Sequence, residues 1–236
     1  MTRVGLERWE AAAVLGAGAR RLLASGTRVQ LCTKGETLCV EGMPVREVGI
    51  VLSGAVELYG CCPDRREAVI EILHPQDGFG FADALGESGH LTTARMLHPG
   101  EVLWLAVEAI ERAMATDIAL GRLVYRMIAQ RTHSLIRQVK DLKLRTGTQR
   151  LGCFLLRLID EGNDPARARI PFPKAVLASR LGMTPETLSR ALGQLREIGL
   201  EVRGSHVHLL DRARIEAVCR PHPLIDGGRR VAPAIA

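Results

Sequence analysis

Aromatic residues make up only 3% of this 236-residue chain, against 47% hydrophobic residues overall, so aliphatic side chains must build its core. No uninterrupted apolar run approaches the ~18 residues that would suggest a membrane span, and a membrane partner is not expected. The N-terminal stretch MTRVGLERWEAAAVLGAGARRLL carries charges at both ends and inside, and lacks the compact apolar segment and cleavage site of a secretory signal. It predicts an amphipathic surface helix over 5–24, in a protein expected in the cytoplasm. The six cysteines (Cys32, Cys39, Cys61, Cys62, Cys153 and Cys219) include no C-x2-C pair, so no zinc or dithiol motif is written in their spacing. In a cytoplasmic chain most are expected as reduced thiols. A phosphate loop of the G-x4-G-K-[ST] type is also missing, as is any grouping of base, nucleophile and oxyanion donors. An enzyme is therefore the weaker reading, with a thiol oxidoreductase at Cys61 and Cys62 as its one concrete form.

Positive charge is present but uneven. Residues 137–220 hold 16 Lys and Arg against 9 Asp and Glu, a net of +7, whereas the remainder holds 16 against 17, a net of −1. A basic C-terminal part is the distribution expected of a domain that meets a polyanion.

From about 27 to 106 short β-like runs (VQL, TLCV, GIVL, EAVIEIL, EVLWLAV) alternate with glycine-marked turns at Gly35, Gly42 and Gly54. Several short strands with regular turn signals predict an all-β barrel or sandwich. Residues 107–145 lack proline altogether and predict one long helix. Val124, Ile128, Leu135, Val139 and Leu142 form an apolar stripe along it, and Leu120, Leu123 and Met127 form a second, flanking one. Two apolar faces let such a helix cover its own barrel and pair with a second copy of itself.

Helical patterns resume at 148–162, 174–182 and 184–199, followed by two strand-like runs around the turn dipeptide Gly204-Ser205. The segment AVLASRLGMTPETLSRALGQL has the pattern of a helix-turn-helix. Val176, Leu177 and Leu181 face inward on its first helix, and Gly182 permits the sharp exit. Thr184 is a good N-cap, Pro185 suits the first helical position, and Glu186 suits the positive end of the dipole. Leu188, Leu192 and Leu195 make the buried face, leaving Glu186, Thr187, Ser189 and Arg190 at the N-terminal end, where a recognition helix reaches base edges. Arg190 can donate two parallel hydrogen bonds to guanine O6 and N7, Glu186 can accept from cytosine N4, and Ser189 can do either. DNA-binding residues are thus expected at Thr184, Pro185, Glu186, Thr187, Ser189 and Arg190. From Pro221 onward the chain is rich in proline, glycine and alanine and predicts a disordered tail over 221–236.

On these motifs the sequence resembles the CRP/FNR superfamily of bacterial transcription regulators over nearly its whole length. The resemblance implies an α+β architecture: an N-terminal helix and β-roll (a jelly roll like cyclic-nucleotide-binding domains) over 1–106, a dimerisation helix over 107–145, and a winged helix-turn-helix over 146–220. It implies a homodimer on a palindromic promoter site in double-stranded DNA, with RNA polymerase as a further partner. The E-x-x-S-R motif at Glu186, Ser189 and Arg190 is similar to that of the FNR-type branch and implies TTGAT-type half-sites. In IPFPKAVLASRLGMTPETLSR and TQRLGCFLLRL the chain most resembles the nitric-oxide-responsive DNR/NnrR-like regulators.

The family's sensing modes can be weighed against the residues. Phe81 stands where a cyclic-AMP sensor needs a ribose-binding Glu, and Thr92 stands where it needs the phosphate-binding Arg, so cyclic AMP is not expected. Arg95 is the nearby cation that keeps it in consideration. No cysteine precedes Cys32, so an N-terminal iron–sulfur cluster is not expected either. Haem responding to nitric oxide is the remaining mode. It would sit between the β-roll and the long helix, among Leu85, Leu91 and Met127, with axial ligands drawn from His74, His90, His98 and His133. His90 is the first choice and His133 the second. Other effector readings are a different small molecule, or oxidation of the Cys61-Cys62-Pro63 hairpin tip, whose thiols Arg65 and Arg66 would acidify. A β-roll that binds only protein partners is the remaining alternative to a DNA-reading protein.

Overall fold

The computed structural model describes residues 5–62, 64, 66–86 and 89–227. Pro63 and Arg65 of the expected hairpin tip, and 228–236 of the expected tail, lie outside them. The chain divides into two compact units, Met1–Arg131 and Thr132–Ala236. The boundary falls inside the long helix, rather than leaving 107–145 as a separate segment.

In the first unit eight strands make two antiparallel four-stranded sheets: β1 (Thr27–Cys32), β2 (Thr37–Cys39), β3 (Glu47–Val51), β4 (Ala55–Cys61), β5 (Glu67–Leu73), β6 (Gly78–Phe79), β7 (Thr93–His98) and β8 (Gly100–Ala106). One sheet runs β1-β8-β3-β6 and the other β2-β7-β4-β5. Successive strands therefore alternate between sheets, as in a jelly roll, except that β4 and β5 pair as a hairpin within one sheet. Val56, Leu58, Leu73, Ala94, Met96 and Val102 fill one core, in which Phe79 meets Trp104 edge-on at 5.4 Å between centroids. Such an aromatic pair adds about 0.5–1.5 kcal/mol beyond its buried area.

The expected helix at 5–24 is in fact two 3₁₀ turns, Leu6–Arg8 and Glu10–Val14, followed by α1 (Ala17–Ser25). The reason lies in the spacing of its buried residues. Leu6, Trp9, Ala12 and Leu15 recur every third position, matching three residues per turn, and only Leu15, Ala19 and Leu23 adopt the spacing of four. This face is core, not surface.

The expected continuous helix over 107–145 is likewise broken, into α3 (Val107–Met114) and α4 (Ile118–Leu144), with α2 (Phe81–Leu85) earlier in the unit. Asp117 causes the break. One carboxylate oxygen accepts from Ala119 N–H at 2.8 Å, starting α4, and the other accepts from Gly16 N–H at 2.8 Å, fastening the N-terminal segment.

The second unit contains α5 (Gly147–Asp160), β9 (Arg167–Arg169), α6 (Lys174–Arg180), α7 (Pro185–Glu197), β10 (Leu200–Arg203), β11 (His206–Leu209), α8 (Arg212–Cys219) and α9 (Pro223–Asp226). Thr146 and Gln149 form a reciprocal capping box at the start of α5. The proline-bearing connection before α6 supplies β9 as a third strand in the order β10-β11-β9. The expected disordered tail is ordered through residue 227. His222 caps α9, and Asp226 forms an ion pair with the nearly buried Arg145.

Candidate nucleic-acid interface

Helix α7 is shaped by its first four residues. Thr184 Oγ1 accepts from Thr187 N–H at 3.2 Å, satisfying one orphan donor, and Pro185 occupies a position that has no hydrogen bond to lose. Leu188, Ala191 and Leu195 form the buried face, and Leu192, expected there, is only half-buried. In α6, Leu177, Ala178 and Leu181 are buried and Val176 is half-buried. The turn between the helices needs Gly182, whose φ of +62° lies in the left-handed region.

A residue that the sequence pattern did not single out holds this turn. From α5, Arg150 donates to Leu181 O at 2.9 Å, Gly182 O at 3.4 Å and Arg145 O at 2.8 Å. One guanidinium thus satisfies the terminal carbonyls of α6 and ties them to the end of α4. Only the spacing from the capping box could have hinted at it.

Glu186, Ser189 and Arg190 are all exposed and lie on the face of α7 opposite its core, and Thr187 is half-buried between them. Arg190 Nη2 donates to Thr187 Oγ1 at 3.3 Å, and Thr187 Oγ1 is 3.2 Å from Thr184 Oγ1. The Thr184 hydroxyl, the Glu186 backbone N–H and the Arg190 charge hold the Glu186 carboxyl below its usual range. An ionised acceptor and a guanidinium with unpaired donors therefore stand side by side at the positive end of a helix. Such an arrangement suits hydrogen bonding to base edges.

The dimer stripe divides in two. Val124 is buried in the first unit's core and so is not offered to a second chain, while Ile128 is partly buried against that core. The first turns of α4 cover their own β-roll, a choice that heptad spacing alone does not reveal. Leu135, Val139 and Leu142 remain exposed at 39%, 49% and 41%.

The candidate effector residues are scattered. His90 is buried, with Nδ1 3.6 Å from Asp83, while His133 is exposed. A carboxylate beside one imidazole nitrogen is the usual partner of a ligating histidine. The expected walls do not form around it: Leu85 and Leu91 are exposed, and Met127 packs against the core. Arg95 is committed to carboxylates, donating to Glu57 at 2.7 Å and Glu67 at 2.8 Å while lying 4.4 Å over the Tyr59 ring. Phe81 is buried in the core. Of the cysteines, Cys61 and Cys62 are exposed, whereas burial pushes the Cys39 thiol up to about 11 and the Cys153 thiol up to about 12. Among the described residues no cluster of three His, Cys, Asp or Glu could hold a metal, and no helix is long and apolar enough to cross a membrane.

A β-roll followed by a long helix and a winged helix-turn-helix defines a class of DNA-binding transcription regulators. Residues 29–117 match the cyclic nucleotide-binding domain model and residues 149–218 the Crp-like helix-turn-helix domain model. Together these cover about two thirds of the chain, which belongs to the CRP/FNR family of transcription regulators. It is 23% identical to the electron transport regulator A of Shewanella oneidensis, over 84% of this chain and 78% of that protein. It is 24% identical to the fumarate and nitrate reduction regulatory protein of Escherichia coli K12, over 74% and 71%. Among solved structures it is similar to FixK2 from Bradyrhizobium japonicum, with a TM-score of 0.70 and 25% identity over 81% of this chain and 96% of that one. These relatives are regulators, not enzymes.

Proposed function

We propose that the protein is a homodimeric, effector-controlled regulator that reads a palindrome of TTGAT-type half-sites and acts with RNA polymerase at promoters. The observation that carries this reading is the exposed trio Glu186, Ser189 and Arg190 at the capped end of α7. The exposed stripe Leu135, Val139 and Leu142 supports pairing with a second copy. Two α7 ends in a dimer would meet successive major grooves about one helical turn apart. Binding to a duplex containing the TTGAT palindrome, compared with one in which both half-sites are scrambled, tests the reading. Equal affinity for the two duplexes would overturn it.

For the effector we carry forward haem in a DNR/NnrR-like sensor, with His90 as axial donor and His133 as second choice. Bound there, the haem iron would supply a site for nitric oxide. The buried imidazole beside Asp83 supports this reading. Binding that favours one dimer geometry would shift the population toward the DNA-reading form. An absorption spectrum after haem addition checks it: a stoichiometric Soret band, lost in His90→Ala and shifted by nitric oxide, is expected. Free-haem behaviour would move attention to Cys61 and Cys62, the exposed thiols.

A further inference from the structure

In the second unit the end of α4 is joined to α5 through Arg145 and Thr146 alone, since α4 stops at Leu144 and α5 starts at Gly147. Each residue brings two soft backbone dihedrals, and these set the direction in which the rest of the chain leaves α4. Short junctions between elements are where hinge motion is absorbed, so a bare linker here would leave that direction loose. This junction is held by side chains instead. Thr146 is fixed by its capping box with Gln149, and Gln149 Nε2 also donates to Val218 O of α8 at 3.3 Å.

Arg145 is the centre of the arrangement. Its guanidinium donates back to Asp141 of α4 at 2.9 Å, forward to Asp226 of α9 at 2.7 Å, and to Arg220 O at 3.4 Å. A nearly buried guanidinium is costly unless paired, and the two carboxylates supply that pairing. Asp141 lies in the last turn of α4, where a negative charge opposes the helix dipole, and its i, i+4 pair with Arg145 offsets that cost. Asp226 also accepts from His222 N–H at 2.6 Å. Arg220 leads into this segment with a φ of +52°, a left-handed conformation that a residue with a side chain keeps only where its surroundings hold it.

The Arg145 carbonyl carries the connection onward. It accepts from Arg150 at 2.8 Å, and Arg150 also holds Leu181 O and Gly182 O in the turn before α7. Leu142 approaches the same turn, 2.7 Å from where a Cβ on Gly182 would stand. Two guanidiniums thus link the end of α4, the C-terminal segment and the turn that aims α7. The exposed stripe Leu135, Val139 and Leu142 belongs to this unit as well. In a dimer paired along that stripe, the angle across Arg145 fixes the separation and mutual rotation of the two α7 ends.

We propose that Arg145, clamped between Asp141 and Asp226, determines the spacing of half-sites that the dimer accepts, and that residues 220–226 brace the DNA-reading head. The inference rests on the dimeric DNA-reading function proposed above. Arg145 is a positioning residue, acting on the bases only through α5 and α7. Choice of base, made by Glu186, Ser189 and Arg190, is therefore separable from choice of spacing.

One base pair added between half-sites moves the second by about 3.4 Å along the duplex and turns it by about 35°. Rigid heads meet that displacement with strain, so the wild type should prefer one spacing over its neighbours by about tenfold or more, comparable to the penalty of a mismatched base pair. The test measures affinity of the full chain for TTGAT-type palindromes whose spacer is shortened or lengthened in single base pairs. Asp226→Asn should lose most of the spacing preference while still favouring TTGAT over scrambled half-sites. Asp141→Asn, which frees the other arm of the clamp, should do the same and carries the test wherever Asp226→Asn is unfolded. Ile215→Val removes a methylene from the buried face of α8 without touching any bond of the clamp. It controls for lost stability alone and should keep the wild-type spacing preference. A wild type indifferent to spacing overturns the inference, as does a preference kept by both asparagine variants or lost equally in Ile215→Val. Failure of the wild type to distinguish any TTGAT palindrome from scrambled duplexes would instead overturn the DNA-reading function.

Discussion

Arg190 must give up one contact to gain another. In the free protein its guanidinium donates to Thr187 Oγ1, and bidentate contact with guanine would redirect it outward. Because that contact is made by one side chain to one base pair, Arg190→Ala is expected to cost about 1–3 kcal/mol and to relax selectivity at a single position. Competition binding with half-sites substituted one base at a time checks this, and an unaltered preference at every position would remove Arg190 from the reading set. Glu186, Ser189 and Arg190 were legible in sequence because capping and helical periodicity together fix the face of α7. Arg150 was not, since its partners are the backbone carbonyls of a turn more than thirty residues away, and carbonyls leave no trace in residue types.

At the scale of elements, the strands of the β-roll and the order of helices in the second unit followed from glycine spacing and apolar pattern. The misread elements have specific causes. The 3₁₀ turns at 6–14 carry a spacing of three that an expectation of α-helix absorbed. The division between α3 and α4 was marked by Asp117, but a polar residue in a long helical pattern is ambiguous until its backbone partners are known. Strand β9 has only three residues and exists because β11 offers it a partner. Segment α9 was hidden by a composition typical of tails, yet Asp226 pairs with Arg145, which also bonds Asp141 and is 6% exposed at the side chain. Burial raises the Asp226 pKa, but hydrogen bonds from Arg145 and His222 N–H outweigh it, and the net shift is downward. Asp226 therefore contributes stability that is present above the unfolded value of about 3.9 and is lost as pH falls through the folded value. Asp226→Asn should destabilise the second unit at neutral pH by about 1–3 kcal/mol and flatten its loss of stability below about pH 4. Thermal melts of both proteins at neutral and acid pH measure this; parallel curves would show that the pair carries no such linkage.

At the scale of the whole molecule, the proposed homodimer would depend on side chains that the single chain leaves in water. Leu135, Val139 and Leu142 remain exposed on α4, whereas Val124 is already buried in its own unit. Val139→Asp should therefore raise the dimer dissociation constant at least about tenfold, which is about 1.4 kcal/mol, without unfolding either unit. Sedimentation across a concentration series checks it, and an unchanged equilibrium would place the interface elsewhere. The scarcity of aromatic residues has its own consequence for observing the molecule. Both tryptophans, Trp9 and Trp104, and both tyrosines, Tyr59 and Tyr125, precede residue 132. Near-ultraviolet absorption and emission therefore originate almost wholly in the β-roll unit, since the second unit has only the weakly absorbing Phe154 and Phe172. A change in tryptophan emission when a duplex is added would be a direct record of a signal crossing from one unit to the other.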